Sequence, residues 1–141
     1  MENNFQHAKN VVRKYYQSFD AAADSNLVNV LKEHTTEEYH WRGMHPFYEK
    51  HSAEDVIETF WKPLRTSFSP IQRREDMFFA GDNDCDGGET QWVVSVGNLL
   101  GLFDTDWLGI PPTGKMVFLR YAEFHRVEGD KIARLLFFVM W

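Results

Sequence analysis

Residues 109–132, GIPPTGKMVFLRYAEFHRVEGDKI, carry the strongest fold signal of this chain. The Pro-Pro pair forms a rigid turn, and a run of alternating apolar and polar residues follows it as far as Val127. A Gly-centred turn at 128–130 then reverses the chain. The stretch therefore predicts an antiparallel hairpin with strands at 115–127 and 131–141.

The N-terminal half has the periodicity of helices instead. Apolar residues recur at helical spacing over 5–20 and again over 25–33. A third predicted helix begins at Ser52, whose hydroxyl suits an N-cap, and Pro63 is expected to kink or end it. Three helices are thus expected before residue 70.

After residue 70 the pattern changes to the two-residue alternation of strands. Besides the hairpin, it predicts strands at 71–80 and 89–100. A further short strand is expected at 39–42, between the second and third helices. Helices followed by an antiparallel sheet indicate an α+β fold with the helices on one sheet face. A length of 141 residues suits a single domain that spans 1–141.

Composition excludes several classes of partner. The net charge of −6 argues against nucleic-acid binding, because a phosphate backbone needs a basic face. The single cysteine, Cys85, cannot form an internal disulfide, and the N-terminus lacks the apolar run of a signal peptide. No apolar stretch reaches membrane-spanning length. These features predict a cytoplasmic protein that binds neither nucleic acid nor membrane.

Two partial motifs do not predict a cofactor. Residues 109–116 match the phosphate-binding P-loop except at the last position, where Met116 replaces the magnesium-binding Ser or Thr. The two prolines of that segment also lack the N–H groups of a phosphate cradle. Residues 82–87 resemble half of a calcium loop, but the Glu expected at the twelfth position is Val93. Neither a nucleotide nor a metal cofactor is expected.

The order of elements, together with the segments 109–115 (GIPPTGK) and 123–132 (EFHRVEGDKI), resembles the SnoaL-like polyketide cyclase family. That family belongs to the nuclear-transport-factor-2-like superfamily. The resemblance implies a cone-shaped, curved, mostly antiparallel sheet with three N-terminal helices on its concave face. It also implies a central apolar pocket and often a homodimer. The fold hosts cyclases, isomerases, hydrolases and non-enzymes, so the resemblance specifies no activity.

The chain departs from the family pattern at two positions. Cyclases of the family resemble Gly-Thr-His-x-Gly where residues 97–101 read GNLLG, so Leu99 occupies the His position. The family also tends to carry an Asp near the end of the last strand, which corresponds to Met140, and no acid lies between Lys131 and Trp141. By this resemblance, both groups that would handle protons are lost.

Other polar residues could still perform acid–base chemistry. Glu123 and His125 are two apart on one predicted strand and share a face, so they form either a catalytic carboxylate–imidazole pair or a solvated ion pair. Arg120 lies on the opposite face. It would either polarise a carbonyl in the pocket or pair with an acid on a neighbouring strand, such as Asp76. His45, held extended before Pro46, either points at the pocket mouth or is a structural loop residue.

A pocket in this cone is expected to be aromatic, and its lining would suit a flat, apolar ligand. The loop 101–114 is too apolar for a free segment and is expected to cover the pocket mouth. The candidate ligand-binding residues are Tyr15, Phe19, Trp41, Trp61, Trp92, Leu99 and Trp107.

Two functional hypotheses follow. In the first, the chain is a cyclase-like or isomerase-like enzyme that acts by proton transfer on a carbonyl-bearing ligand, with Glu123 or His125 required and His45 or Arg120 assisting. In the second, it is a ligand-binding or dimerisation module without chemistry, which the loss of His at Leu99 favours. In either case the strand 134–141 is apolar on both faces, which predicts a homodimer formed through a sheet face.

Overall fold

The computed structural model describes the chain over residues 5–140 and the side chains of residues 5–139. The first helix, α1, spans Gln6–Ala21 and α2 spans Leu27–His34. A third helical segment consists of α3 (Ala53–Val56), a π-helical turn (Ile57–Trp61) and α4 (Lys62–Ser67). The strands are β1 (Thr35–Arg42), β2 (Glu49–Lys50), β3 (Phe68–Asp82), β4 (Gln91–Phe103), β5 (Met116–Glu128) and β6 (Lys131–Met140).

The third helical segment begins as its sequence predicts. The Ser52 side chain accepts a hydrogen bond from the Asp55 backbone N–H at 3.1 Å and caps the helix. Pro63 does not end the helix. It lies in the first turn of α4, where its missing N–H is tolerated, and the widened π turn immediately precedes it.

The six strands form one sheet in the order β2-β1-β6-β5-β4-β3. The predicted α+β class is confirmed: neighbouring strands pair antiparallel except for β1 and β6, which pair parallel. Strand β3 starts at Phe68 rather than at residue 71, and β4 continues to Phe103, so the loop expected at 101–114 starts at Asp104. Strand β2 was not predicted, because two residues carry no periodicity.

Strands β3 and β4 come into close backbone contact at a bulge. A bulge interrupts the β3 register between Glu75 and Met77, opposite Gly97 of β4. A Cβ atom at Gly97 would lie 2.1 Å from the Arg74 carbonyl oxygen. Only glycine therefore permits this contact.

One face of the sheet, the inner face, packs against the helices around an aromatic core. Phe60 of the π turn lies 4.9 Å from Trp41 and 5.0 Å from Phe137, measured between ring centroids. Trp41 faces this core, so its neighbour His40 lies on the other face. Within residues 5–140, none of the helices is long and apolar enough to cross a membrane.

The opposite face, the outer face, exposes several large apolar side chains among its polar ones. It presents exposed side chains from four strands, of which Phe118 is 61% exposed. An alternating strand would normally place polar residues there. The large apolar residues exposed on this face are Met77, Phe79, Leu102, Met116, Phe118 and Phe138.

Candidate functional site

The inner face of β5 places a carboxylate and an imidazole side by side within the core. Glu123 and His125 are both 0% exposed, and Tyr121 precedes them on the same face. The face they share follows from strand alternation, and their burial follows from the helices that cover it. Charged groups at such depth need partners, because desolvation opposes their ionised forms.

Arg73 of β3 is the partner of Glu123. Its Nη1 donates to Glu123 Oε1, and its Nε donates to Asp20 Oδ2 of α1 at 2.9 Å. The guanidinium also lies over the Tyr16 ring, 3.9 Å from the centroid. Arg73 is thus held between one buried carboxylate and one that reaches the surface, with its side chain only 8% exposed.

His125 is neutral in this environment. Burial, with a further contribution from the Arg73 charge, lowers the pKa of His125 to about 3. Its Nε2 lies 2.9 Å from the Tyr16 hydroxyl and 3.7 Å from Glu123 Oε2, so the second contact is not an ion pair at neutral pH. Burial raises the pKa of Glu123, while Arg73 opposes that shift. Among the residues described, no hydrogen-bond partner meets His125 Nδ1 or Glu123 Oε2.

A second branch of polar contacts continues from Tyr121 to the surface. The Ser95 hydroxyl lies 2.9 Å from the Tyr121 hydroxyl and donates to Glu75 Oε2 at 2.7 Å. Glu75 in turn pairs with Arg13 of α1. These contacts join α1 to three strands and hold the aromatic hydroxyls in fixed positions.

A cavity opens beside Arg73, between α1, the third helical segment, β3 and β4. Its apolar walls come from Phe19, Trp61, Ile71 and Leu99, and its polar end comes from Asp20, Arg65 and Arg73. The space open to the centre of a water-sized sphere is about 30 Å³, which suits roughly two waters. The concave side of the sheet is therefore mostly filled by its own aromatic side chains.

Known structures share this architecture. No protein-family model and no functionally curated protein matches the sequence. A protein from Jannaschia sp. CCS1 assigned as a SnoaL-like polyketide cyclase matches with a TM-score of 0.71 and 18% identity, over 99% of this chain and 90% of that one. The fold is that of the SnoaL-like and NTF2-like proteins.

Two further structures agree with this assignment. An NTF2-like protein from Burkholderia thailandensis matches with a TM-score of 0.67 and 19% identity, over 94% of this chain and 89% of that one. IdmH of Streptomyces antibioticus, assigned as a polyketide cyclase, matches with a TM-score of 0.69 and 15% identity, over 95% of this chain and 91% of that one. The resemblance to the SnoaL-like family is confirmed as a shared fold. At sequence identities this low, a shared fold does not indicate a shared activity.

Within the SnoaL-like fold, five of the predicted site residues lie at the cavity or directly behind Arg73. Phe19, Trp61 and Leu99 line the cavity. Glu123 and His125 lie together behind Arg73.

The other predicted catalytic residues lie elsewhere. Arg120 points to the outer face and pairs with Asp76, as one of its two expected roles requires. His45 lies in an exposed turn, where its Nδ1 is 2.7 Å from the Tyr48 hydroxyl. The structure therefore brings neither of them to the Glu123–His125 pair.

Four predicted ligand-binding aromatics do not line this cavity. Tyr15 and Trp41 are buried in the core, with the Tyr15 ring 6.0 Å from the His125 ring. Trp92 is half-buried on the outer face, and its Nε1 donates to Thr90 Oγ1. Trp107 packs edge-on against Phe68 at 5.3 Å and is buried, so the loop that carries it is anchored to the core.

Three residues form the polar end of the cavity, Asp20, Arg65 and Arg73, and none of them was predicted from the sequence. Asp20 falls at the end of the first helical pattern, where a solvated acid is common. Arg73 shares strand parity with Ile71 and Glu75, which was the available signal that its side chain faces inward. That signal is weak, because alternation does not say which parity is buried.

Proposed function

We propose that this chain binds a small, mostly apolar molecule bearing a carbonyl or carboxylate oxygen in the cavity beside Arg73. The observation that carries the proposal is a buried guanidinium at the end of a cavity with aromatic and aliphatic walls. Phe19, Trp61 and Leu99 would contact hydrocarbon, while Arg73 would donate to the oxygen. Because the cavity now has room for about two waters, Phe19 and Trp61 have to move apart to admit a ring.

Asp20 is the carboxylate placed for acid–base chemistry on such a ligand. It lines the cavity and contacts the same guanidinium that would polarise the carbonyl. In the proposed step, an Asp20 oxygen takes a proton from the carbon next to the carbonyl. The C–H electrons form the C=C bond of an enolate, whose oxygen takes the negative charge against Arg73.

Glu123 and His125 hold Arg73 and Tyr16 in position for this step. Glu123 holds Arg73 in place by a buried ion pair, and its charge balances the guanidinium. His125 accepts or donates one hydrogen bond with Tyr16, whose ring lies against the Arg73 guanidinium. Both are positioning residues in this scheme, which retains the requirement for Glu123 or His125 if catalysis occurs.

Binding without chemistry is the second candidate, and one observation favours it. Leu99, which cannot transfer a proton, lines the cavity where the cyclase motif has His. In that case the cavity captures its ligand by burial of apolar surface and by the Arg73 contact alone.

One experiment separates these outcomes. The full chain is titrated with α-tetralone and with tetralin, which lacks the carbonyl, and Trp fluorescence reports binding at the wall formed by Trp61. Arg73→Gln should abolish the preference for the ketone, and Leu99→Trp should block both ligands by filling the cavity. Arg74→Gln is the matched control, because Arg74 is exposed on the outer face of the same strand. Equal affinity for the two ligands, or no effect of Leu99→Trp, would refute binding in this cavity.

Catalysis is then measured as exchange of the α-hydrogens of the ketone in D₂O, followed by NMR. Asp20→Asn should slow protein-dependent exchange by about 10²- to 10⁴-fold while the ketone still binds. If the wild type binds the ketone but does not exchange its α-hydrogens, the chain is a binding module and the proposed proton transfer is refuted.

A homodimer formed through the outer face completes the proposal. Phe79, Phe118 and Phe138 expose about half or more of their surface on one side of the sheet. Exposed aromatic side chains of this number typically mark an interface, and a second copy offers the same surface for self-complementary contact. We also propose a cytoplasmic location, because the single cysteine, Cys85, can form no internal disulfide.

A further inference from the structure

The edge hairpin of the sheet carries three potential metal ligands, away from the cavity. Arg42 of β1 pairs with Glu49 of β2, and continuing this register by two residues places His40 opposite His51, the residue that follows β2, on the same face. The imidazole rings are stacked, with centroids 4.8 Å apart and planes 18° apart. The hairpin register therefore gathers two imidazoles and a carboxylate at one point on the outer face.

The distances within this cluster are close to those of a metal site. His40 Nε2 lies 3.8 Å from Glu49 Oε1, and His51 Nε2 lies 3.9 Å from Glu49 Oε2. All three donor atoms fit within 4.8 Å of one another. Ligand atoms about 2.1 Å from a tetrahedral Zn²⁺ are about 3.4 Å apart, so small rotations of the exposed Glu49 and His51 side chains would suffice.

One potential ligand atom, His40 Nε2, faces the other two and makes no hydrogen bond to another described residue. His40 Nε2 is buried, and no hydrogen-bond partner meets it among the described residues. A buried polar atom that lacks a partner is uncommon, and a metal ion would satisfy its lone pair.

We propose that His40, Glu49 and His51 bind one Zn²⁺ ion, with a fourth coordination position left to solvent. Two imidazoles and one carboxylate are an established zinc ligand set, and His51 and Glu49 are exposed enough for the ion to enter. Bound metal would join β1 to the two-residue strand β2 and stabilise the edge of the sheet. The neighbouring Arg42 and Arg134 charges oppose a dication, so we expect an affinity on the order of micromolar rather than nanomolar.

The test is calorimetric titration of the full chain with zinc chloride at neutral pH. Cys85→Ser serves as the background for every variant, because the exposed thiol is itself a zinc ligand. We expect one equivalent to bind, and His40→Ala and His51→Ala each to weaken binding by about tenfold or more. His7→Ala is the matched control, since it removes the imidazole of another exposed His–carboxylate pair, with Asp130 at 3.0 Å.

Thermal unfolding provides an independent readout. Zinc should raise the Tm of the background protein, as any ligand specific to the folded state does, and should not raise that of His51→Ala. The His51 side chain is 74% exposed, so its removal leaves folding intact. The proposal is overturned if no saturable binding occurs below about 0.1 mM zinc, or if binding is unchanged in both His40→Ala and His51→Ala.

Discussion

Arg73→Met isolates the role of the buried guanidinium and should lower stability in a pH-dependent way. The substitution removes the donors to Glu123 and Asp20 and leaves a 0%-exposed carboxyl without a cation. Such a carboxyl takes up a proton instead of remaining charged. From an ordinary Glu pKa of about 4.3, protonation costs about 3.7 kcal/mol at pH 7 and about 1 kcal/mol at pH 5.

The sign of the pH dependence follows from the direction of this shift. Losing Arg73 raises the pKa of Glu123 in the folded state further above its unfolded value, because desolvation is then unopposed. A raised pKa contributes stability below the unfolded pKa, and that contribution is lost as pH rises through the folded pKa. The difference in unfolding free energy between wild type and variant should therefore be largest near pH 7 and shrink toward pH 5. Its pH-dependent part should not exceed about 3.7 kcal/mol.

Urea unfolding at pH 5, 6 and 7 measures this difference. Arg74→Met is the control, and its exposed position predicts a change within about 0.5 kcal/mol at every pH. The double variant Arg73→Met/Glu123→Met should recover much of the loss, because replacing both members of a buried pair by apolar residues is often neutral or stabilising. A pH-independent loss in the single variant, or a larger loss in the double variant, would refute this account of the pair.

Three further predictions test the fold and the assembly. Phe118→Glu should convert a dimer into a monomer in light scattering at micromolar concentration, and a wild-type monomer would contradict the sheet-face interface. Gly97→Ala should destabilise by about 1–3 kcal/mol through backbone overlap, whereas Gly81→Ala, with open space around its Cβ position, should change stability little. Trp107→Ala should cost about 3–5 kcal/mol of stability because the ring is buried against Phe68; a loss of ligand affinity without a loss of stability would restore the lid predicted for its loop.

Local sequence patterns were sufficient to predict most helices and strands and to place residues that are close in the chain on the same face. The Ser52 cap, the turn after Val127 and the shared face of Glu123 and His125 each depend on a few neighbouring residues, and the structure has all three. These features follow from helix capping, turn chemistry and the two-residue period of a strand, which act over short distances in the chain.

The tertiary structure decided which face is buried and which distant residues meet. Arg73 is 50 residues from Glu123 and 53 from Asp20, so their contact depends on the register of three strands and on where α1 crosses them. A one-residue slip in β3 would turn Arg73 to the outer face. The alternating sequence of β3 does not decide which of its two sets of residues faces inward. The same holds for His40 and His51, which meet only because a two-residue strand pairs with β1. Burial of Glu123, and with it the direction of its pKa shift, likewise required the helices to cover the inner face.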